Sequence, residues 1–270
     1  MERFFGLIGI FFLLGCAYLM STDRKAINWR PVLWGIGLQV VFAVCILYLR
    51  IGNFRVGEVF FRFFDDFFTN LLAYSDKGSD FLFQSFVTNA VETPMLNLAF
   101  RVLPTIIFFS AVMAIVYHIG VMGFVISLFA KVMQRTMKTS AAETLSTSAN
   151  IFVGQTEAPL IIRPFIKDLT QSELMAVMAG GFATIAGGVM AIYVRMLSDH
   201  VPNIAGHLLT ASVMSAPAAL AISKIMIPET ETPVTATTDQ IKIERTDANL
   251  IEAASRGASE GMHLALNVAA

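Results

Sequence analysis

The sequence predicts an all-α integral membrane protein: a multi-span helical bundle with a re-entrant helical hairpin and a glycine-broken helix. Three observations predict it. Of 270 residues, 56 % are hydrophobic and 14 % charged, with a mean hydropathy of +0.67, whereas soluble domains carry roughly 25 % charged residues. Long apolar runs are closed by Lys and Arg, as spans that end on the positive side of a membrane are. Between Asn150 and Leu160, in a largely apolar setting, amides, a hydroxyl, a carboxylate, a Gly and a Pro crowd together. An ionisable residue at membrane depth is costly and marks a substrate or ion pathway. Gly and Pro open the backbone there, which lipid tolerates only where that backbone is buried in protein or lines a cavity.

Taken in order, residues 1–50 read as two scaffold spans. Phe4 to Met20 is the first, and Val32 to Leu49 the second, closed by Arg50. The linking loop carries Asp23, Arg24, Lys25 and Arg30, which places it in the cytoplasm and the N-terminus outside. Leu13-Leu14-Gly15-Cys16 resembles a lipoprotein cleavage site, but the weak n-region and the apolar run continuing to Met20 favour a span. Cys16 and Cys45 both sit in apolar runs and read as small hydrophobes.

Residues 51–100 are aromatic and charged together. Phe60-Phe61, Phe63-Phe64 and Phe67-Phe68 alternate with Arg62 and Asp65-Asp66, which suggests interfacial helices on the extracytoplasmic side; packing against neighbouring spans is compatible. Tyr74 to Asp80 reads as a break. Residues 101–128 form a third scaffold span, Leu103 to Leu128, opened by Pro104 where its missing donor costs little and followed by Lys131, Arg135 and Lys138. His118 reads as a packing histidine.

Residues 129–227 hold an interfacial helix, a re-entrant hairpin at about 139–168, a broken helix at 173–197 and a span at 208–227. Thr139 to Asn150 is small and polar, a composition that allows close backbone approach. Leu160 to Ile166 returns, and two half-length segments flanked by basic residues cannot each cross ~30 Å. Leu174 to Leu197 contains Gly180-Gly181 and Gly187-Gly188 around Thr184, which fits either local unwinding or small-residue packing. Residues 228–249 read as a cytoplasmic loop. Residues 250–270 read as the start of a further, truncated span.

At the break, Gly154 suits a left-handed residue ending a helix, and freed carbonyls with Asn150 offer hard oxygens to a small cation. Thr156 suits an N-cap, Pro159 fits a first turn, and the new helix start favours a polar ligand. Gln155, Thr156 and Glu157 supply amide, hydroxyl and carboxylate, a set suited to a heterocycle edge. Such groups could also merely cap one another. Opposed half-helix ends of this kind recur in secondary carriers.

The run NIFVGQTEAPL resembles the first re-entrant hairpin of the concentrative nucleoside transporters, and the flanking RVLPTIIFFSAVMAIVYHIG and LTQSELMAVMAGGFATIAGGVMAIYV are similar as well. The resemblance covers the whole chain and implies an inverted-repeat carrier fold. It implies that Gly154, Gln155, Thr156 and Glu157 contact the nucleoside base and that Val189 packs against it. It implies a sodium ion on Asn150, the carbonyls of Val153 and Ile185, and the hydroxyl of Thr184, with sodium as coupling ion and no other cofactor. A homotrimer in a lipid bilayer follows from the same likeness, as does multi-pass placement in a bacterial inner membrane, where it would import nucleosides. The family's ribose-reading second hairpin is not in this chain, so the chain alone is not expected to transport.

Alternatives are a proton-coupled nucleoside symporter, a non-transporting membrane fragment, or an intramembrane enzyme using Glu157. The last lacks a G-x-S-x-G or H-E-x-x-H set, and His118, His200, His207 and His263 are scattered. No basic surface interleaved with aromatics points to nucleic acid.

Overall fold

The computed structural model describes residues 2–51, 54–87, 98–155, 157–198, 200–236 and 247–269. It is helical throughout apart from one antiparallel pair, Arg50–Ile51 (β1) with Phe54–Arg55 (β2). Three helical stretches among the described residues are long and apolar enough to cross a membrane: Trp29–Ile46, Gln171–Leu197 taken across its break, and Ile204–Met226. The all-α membrane expectation holds. The chain forms two compact units interleaved in sequence, Met1–Val44 with Ile126–Ile185 and Ser212–Lys242, and Cys45–Val125 with Ala186–Ala211 and Ile243–Ala270.

The first unit contains α1 (Glu2–Leu19), most of α2 (Trp29–Tyr48) and most of α5 (Val121–Met137). It also holds α6 (Ala141–Asn150), α7 (Ala158–Ile161), a 3-10 turn at Arg163–Asp168, α8 (Gln171–Ala183) and the larger part of α10 (Ile204–Met226). Ala17, Ile27, Val32 and Ile225 form a core, while Phe11, Phe12, Leu13, Leu33 and Val41 point outward. Lipid accepts such an apolar exterior where water would not. Arg24 donates from Nη2 to the Leu19 carbonyl at 2.8 Å, so a residue read as a topology signal also caps the end of α1. The close approach of α2 to α10 requires Gly35, where a Cβ would lie 2.7 Å from the Pro217 carbonyl oxygen.

The second unit contains α3 (Val56–Val87), a π-helical turn at Leu98–Val102, α4 (Leu103–His118), α9 (Gly187–Leu197) and α11 (Leu250–Ala269). Val102, Ile106, Ile192 and Ala265 form its core, and Phe68 stacks on Phe109 with ring centroids 5.7 Å apart.

Several expectations need correction. Tyr74 to Asp80 does not break the chain, because α3 runs unbroken through it. Its polar residues find tertiary partners instead: Asp76 pairs with Arg195, and Ser75 meets Thr105 at 3.4 Å. The stretch from Leu103 to Leu128 is not one helix. It breaks between α4 and α5, where Gly120 takes φ 87°, a value that glycine adopts without steric cost. The second half of the hairpin, read as apolar from Leu160 to Ile166 and broken at Arg163-Pro164, is the single turn of α7 followed by the 3-10 turn, each with a proline in its first positions. Of the expected interfacial helices, residues 88–97 lie outside the described residues, as do residues 237–246 of the expected cytoplasmic loop.

Candidate functional site

α6 begins with Ser140 in extended geometry (φ −67°, ψ 161°), its hydroxyl accepting from the Glu143 amide while Glu143 accepts from the Ser140 amide. α8 begins the same way with Thr170 and Glu173. Each reciprocal cap satisfies two otherwise orphaned donors. The two caps are joined, because the Ser140 hydroxyl donates to Glu173 Oε1. Lys224 of α10 closes the cluster, with Nζ 2.8 Å from Glu143 Oε2 and 2.9 Å from Ser172 Oγ. Glu143 and Glu173 are each 1 % exposed and Lys224 5 %, so this is a buried, paired anchor for the hairpin base. This anchor is not among the expectations drawn from the sequence. The S-x-x-E and T-x-x-E spacings at Ser140 and Thr170 were the available signal.

From the joined caps, α6 and α8 run side by side in register. Ser140 meets Glu173 at a separation of 33 residues, and Thr147 meets Gly180 at the same separation, a Cβ on Gly180 lying 3.1 Å from Thr147 Oγ1. Carried one turn further, that offset brings Asn150, the last residue of α6, to the level where α8 ends at Ala183 and Thr184 turns extended (φ −120°, ψ 161°). Helix α9 starts at Gly187 after this break. The glycines of α8 thus serve close packing, while the interruption itself falls at Thr184 to Ala186.

Asn150 is 1 % exposed. Its Nδ2 donates to the Ser146 carbonyl at 3.3 Å, and its Oδ1 has no hydrogen-bond partner. Thr184 donates its hydroxyl proton to the Gly180 carbonyl at 2.9 Å, leaving its oxygen free to accept. Val153 is buried at the turn, and Ile185 lies in the non-helical link between α8 and α9. These are neutral, hard oxygens, the donor type that suits an alkali cation. No cluster of three or more His, Cys, Asp or Glu able to hold a metal exists among the described residues.

The tip departs from expectation in two places. Gly154 is not left-handed; the only glycine with positive φ among the described residues is Gly120. α6 ends instead by tightening, with Phe152 and Val153 both donating to the Ala149 carbonyl at 3.0 and 2.9 Å, a common way of satisfying terminal carbonyls. The N-cap of α7 is Glu157, not Thr156, and it makes no side-chain cap bond. The Gly154 carbonyl accepts from both Glu157 and Ala158, which carries the turn past position 156 before helix begins. Thr156 itself lies outside the described residues. Gln155 and Glu157 are exposed and Gly154 is half-buried; Gln155 packs on Gly181, where a Cβ would come within 2.9 Å of its own Cβ. Val189, half-buried in the first turn of α9, belongs to the second unit.

Comparison with known proteins identifies this arrangement. The chain matches the family description "Na+ dependent nucleoside transporter N-terminus" over residues 8–86, "Nucleoside recognition" over 99–199 and "Na+ dependent nucleoside transporter C-terminus" over 207–270. It is 42 % identical over 270 residues to sodium/nucleoside cotransporter 2 of Rattus norvegicus, covering 100 % of this chain and 38 % of that protein. It is also 42 % identical over 264 residues to an uncharacterized transporter of Haemophilus influenzae, covering 98 % of this chain and 60 % of the relative. A solved structure of CNTnw in an inward-facing substrate-bound state superposes with a TM-score of 0.82 at 40 % identity, over 100 % of this chain and 61 % of that one. The chain therefore spans between 38 % and 61 % of the length of these relatives. The likeness is to transporters and not to enzymes, which sets aside an intramembrane enzyme built on Glu157. A hairpin tip rich in amide and carboxylate, a buried asparagine with an unpaired oxygen beside a broken helix, and matches along nearly the whole sequence agree: the chain belongs to the concentrative nucleoside transporter family.

Proposed function

We propose that this chain supplies the base-reading and sodium-binding part of a sodium-coupled nucleoside symporter that imports nucleosides across a bacterial inner membrane. The single observation that carries the reading is the buried, unpaired Oδ1 of Asn150, brought by helix register to the level where α8 ends. Sodium there is held by Asn150, the carbonyls of Val153 and Ile185, and the hydroxyl of Thr184. Its charge draws the end of α6 and the end of α8 together. With that junction set, Gly154, Gln155, Thr156 and Glu157 present their polar groups to the base, and Val189 gives the base an apolar contact. The N-terminus lies outside, the hairpin opens from the cytoplasmic side, and the carrier works as a homotrimer in the bilayer.

Equilibrium binding of labelled uridine to the purified chain, in sodium or in choline, tests this. Sodium-enhanced binding that Glu157→Ala lowers about tenfold is the expected result, the worth of one hydrogen bond to a charged group. Binding indifferent to both sodium and Glu157 overturns the assignment. Uridine binding titrated with sodium at fixed pH, and with pH at fixed sodium, then separates sodium from proton coupling.

A further inference from the structure

We infer that Ser212 of α10 is a positioning residue of the sodium site, fixing from outside the hairpin the turn that joins Asn150 to Val153. The inference rests on the sodium reading above. Ser212 is 3 % exposed and Ile151 0 %, and the Ser212 hydroxyl donates to the Ile151 carbonyl at 3.0 Å. Ile151 is the C-cap of α6, so its carbonyl is one that a helix end leaves without an intrahelical partner. Two other hydroxyls of α10 bond back along their own helix, Thr210 to the Gly206 carbonyl at 2.7 Å and Ser223 to the Leu220 carbonyl at 2.9 Å. Back-bonding of this kind is the ordinary fate of a serine or threonine inside a helix. Ser212 departs from it and gives its one proton to a residue 61 positions away.

What the bond holds decides its role. Ile151 follows Asn150 directly and precedes Val153 by two residues, so the pinned peptide lies between the carboxamide and the carbonyl that this stretch offers to the cation. The Ala149 carbonyl is occupied by the amides of Phe152 and Val153, and with the Ile151 carbonyl held by Ser212 the course of the turn is set from both sides. Groups that orient ligands without touching the ion govern affinity because the ligands must stand at a fixed separation. α10 grips α6 a second time at the hairpin base, where Lys224 Nζ lies 2.8 Å from Glu143 Oε2. Glu143 and Ile151 stand about 12 Å apart along the axis of α6, and their partners Lys224 and Ser212 follow in reversed order on α10. α10 therefore runs antiparallel to α6 and braces it at both ends, by charge at the base and by a hydroxyl at the tip.

The test uses the full 270-residue chain in detergent, with thermal unfolding followed across a sodium chloride titration against choline chloride at constant ionic strength. Wild type is expected to be stabilised by sodium through mass action. Ser212→Ala leaves the Ile151 carbonyl buried without a partner, so its unfolding temperature falls in choline whatever the role of the bond. The deciding readout is the half-saturating sodium concentration, which should rise about tenfold; a bond that only packs α10 on α6 lowers stability equally in both salts and leaves that concentration unchanged. Ser212→Thr keeps the hydroxyl and should restore the wild-type titration. Ser223→Ala removes a buried serine of the same helix that bonds locally and should leave the half-saturating concentration alone. Ser212→Cys keeps the side-chain volume with only a weak donor and gives the readout should alanine fail to fold. A titration of Ser212→Ala, or of Ser212→Cys in its place, that coincides with wild type overturns the inference, as does an equal shift in Ser223→Ala. If wild type itself shows no sodium response, the sodium reading fails and this inference with it.

Discussion

Two helix pairs in this molecule approach closely by the same device and to different ends. In the first unit α6 lies against α8; in the second α4 lies against α11. Both use glycine to let backbones meet. In α11 the stripe Ala253, Gly257, Gly261 and Ala265 is buried, and a Cβ on Gly257 would lie 2.5 Å from Ala114 Cβ and 2.7 Å from the Ser110 carbonyl oxygen. A Cβ on Gly261 would lie 2.8 Å from Ile107 Cα. This is small-residue packing against backbone, and it makes scaffold. In the α6–α8 pair, the residue facing Gly180 is a threonine side chain, and α6 carries two buried oxygens without partners, Ser146 Oγ and Asn150 Oδ1. Close approach there excludes lipid and water from polar groups without pairing them all. In the proposed reading, a tight helix seam serves as a site where buried polar groups on it are left without partners, and as a frame where glycine meets backbone and small side chains.

The sharpest way to break that contrast is at the buried anchor, which only the polar pair has. Lys224→Met leaves Glu143 buried without its cation and should cost about 3–5 kcal/mol of stability, read by denaturant unfolding in detergent. Lys224→Met with Glu143→Gln should recover most of the loss, and a single variant costing under about 1 kcal/mol would show that the anchor does not hold the hairpin. Next in size, Gly257→Ala drives a methyl into the Ser110 backbone and should cost about 2–3 kcal/mol, the upper range for overpacking. The sodium response of the chain should survive it. Smallest is Gly180→Ala. Its Cβ would meet Thr147 Oγ1 at 3.1 Å and Cγ2 at 3.2 Å, atoms of a side chain that can yield, and the helix-propensity gain of about 1 kcal/mol offsets the crowding. A net change within about 1 kcal/mol is expected. Equal costs at Gly257 and Gly180 would remove the distinction between the two seams.

The sequence by itself determined that the chain is helical and lipid-embedded, because hydrophobic runs of spanning length and their basic boundaries are local properties. It also located the polar break from Asn150 to Glu157 and the glycine-rich interruption around Thr184, since Gly, Pro and a carboxylate in apolar surroundings are conspicuous one residue at a time. What only the tertiary structure decided depends on partners distant in sequence. Tyr74 to Asp80 stays helical because Asp76 finds Arg195 and Ser75 finds Thr105. The glycines at 180 and 181 are packing positions because Thr147 and Gln155 lie opposite them, which the run itself left undecided. Lys224 is a buried counter-ion to Glu143 because α10 passes the hairpin base. The Ser146 hydroxyl is unpaired because its helix is buried on every side. Periodicity and composition record what a residue can do; which of its hydrogen bonds remain unmade is fixed only when another helix has taken its place beside it.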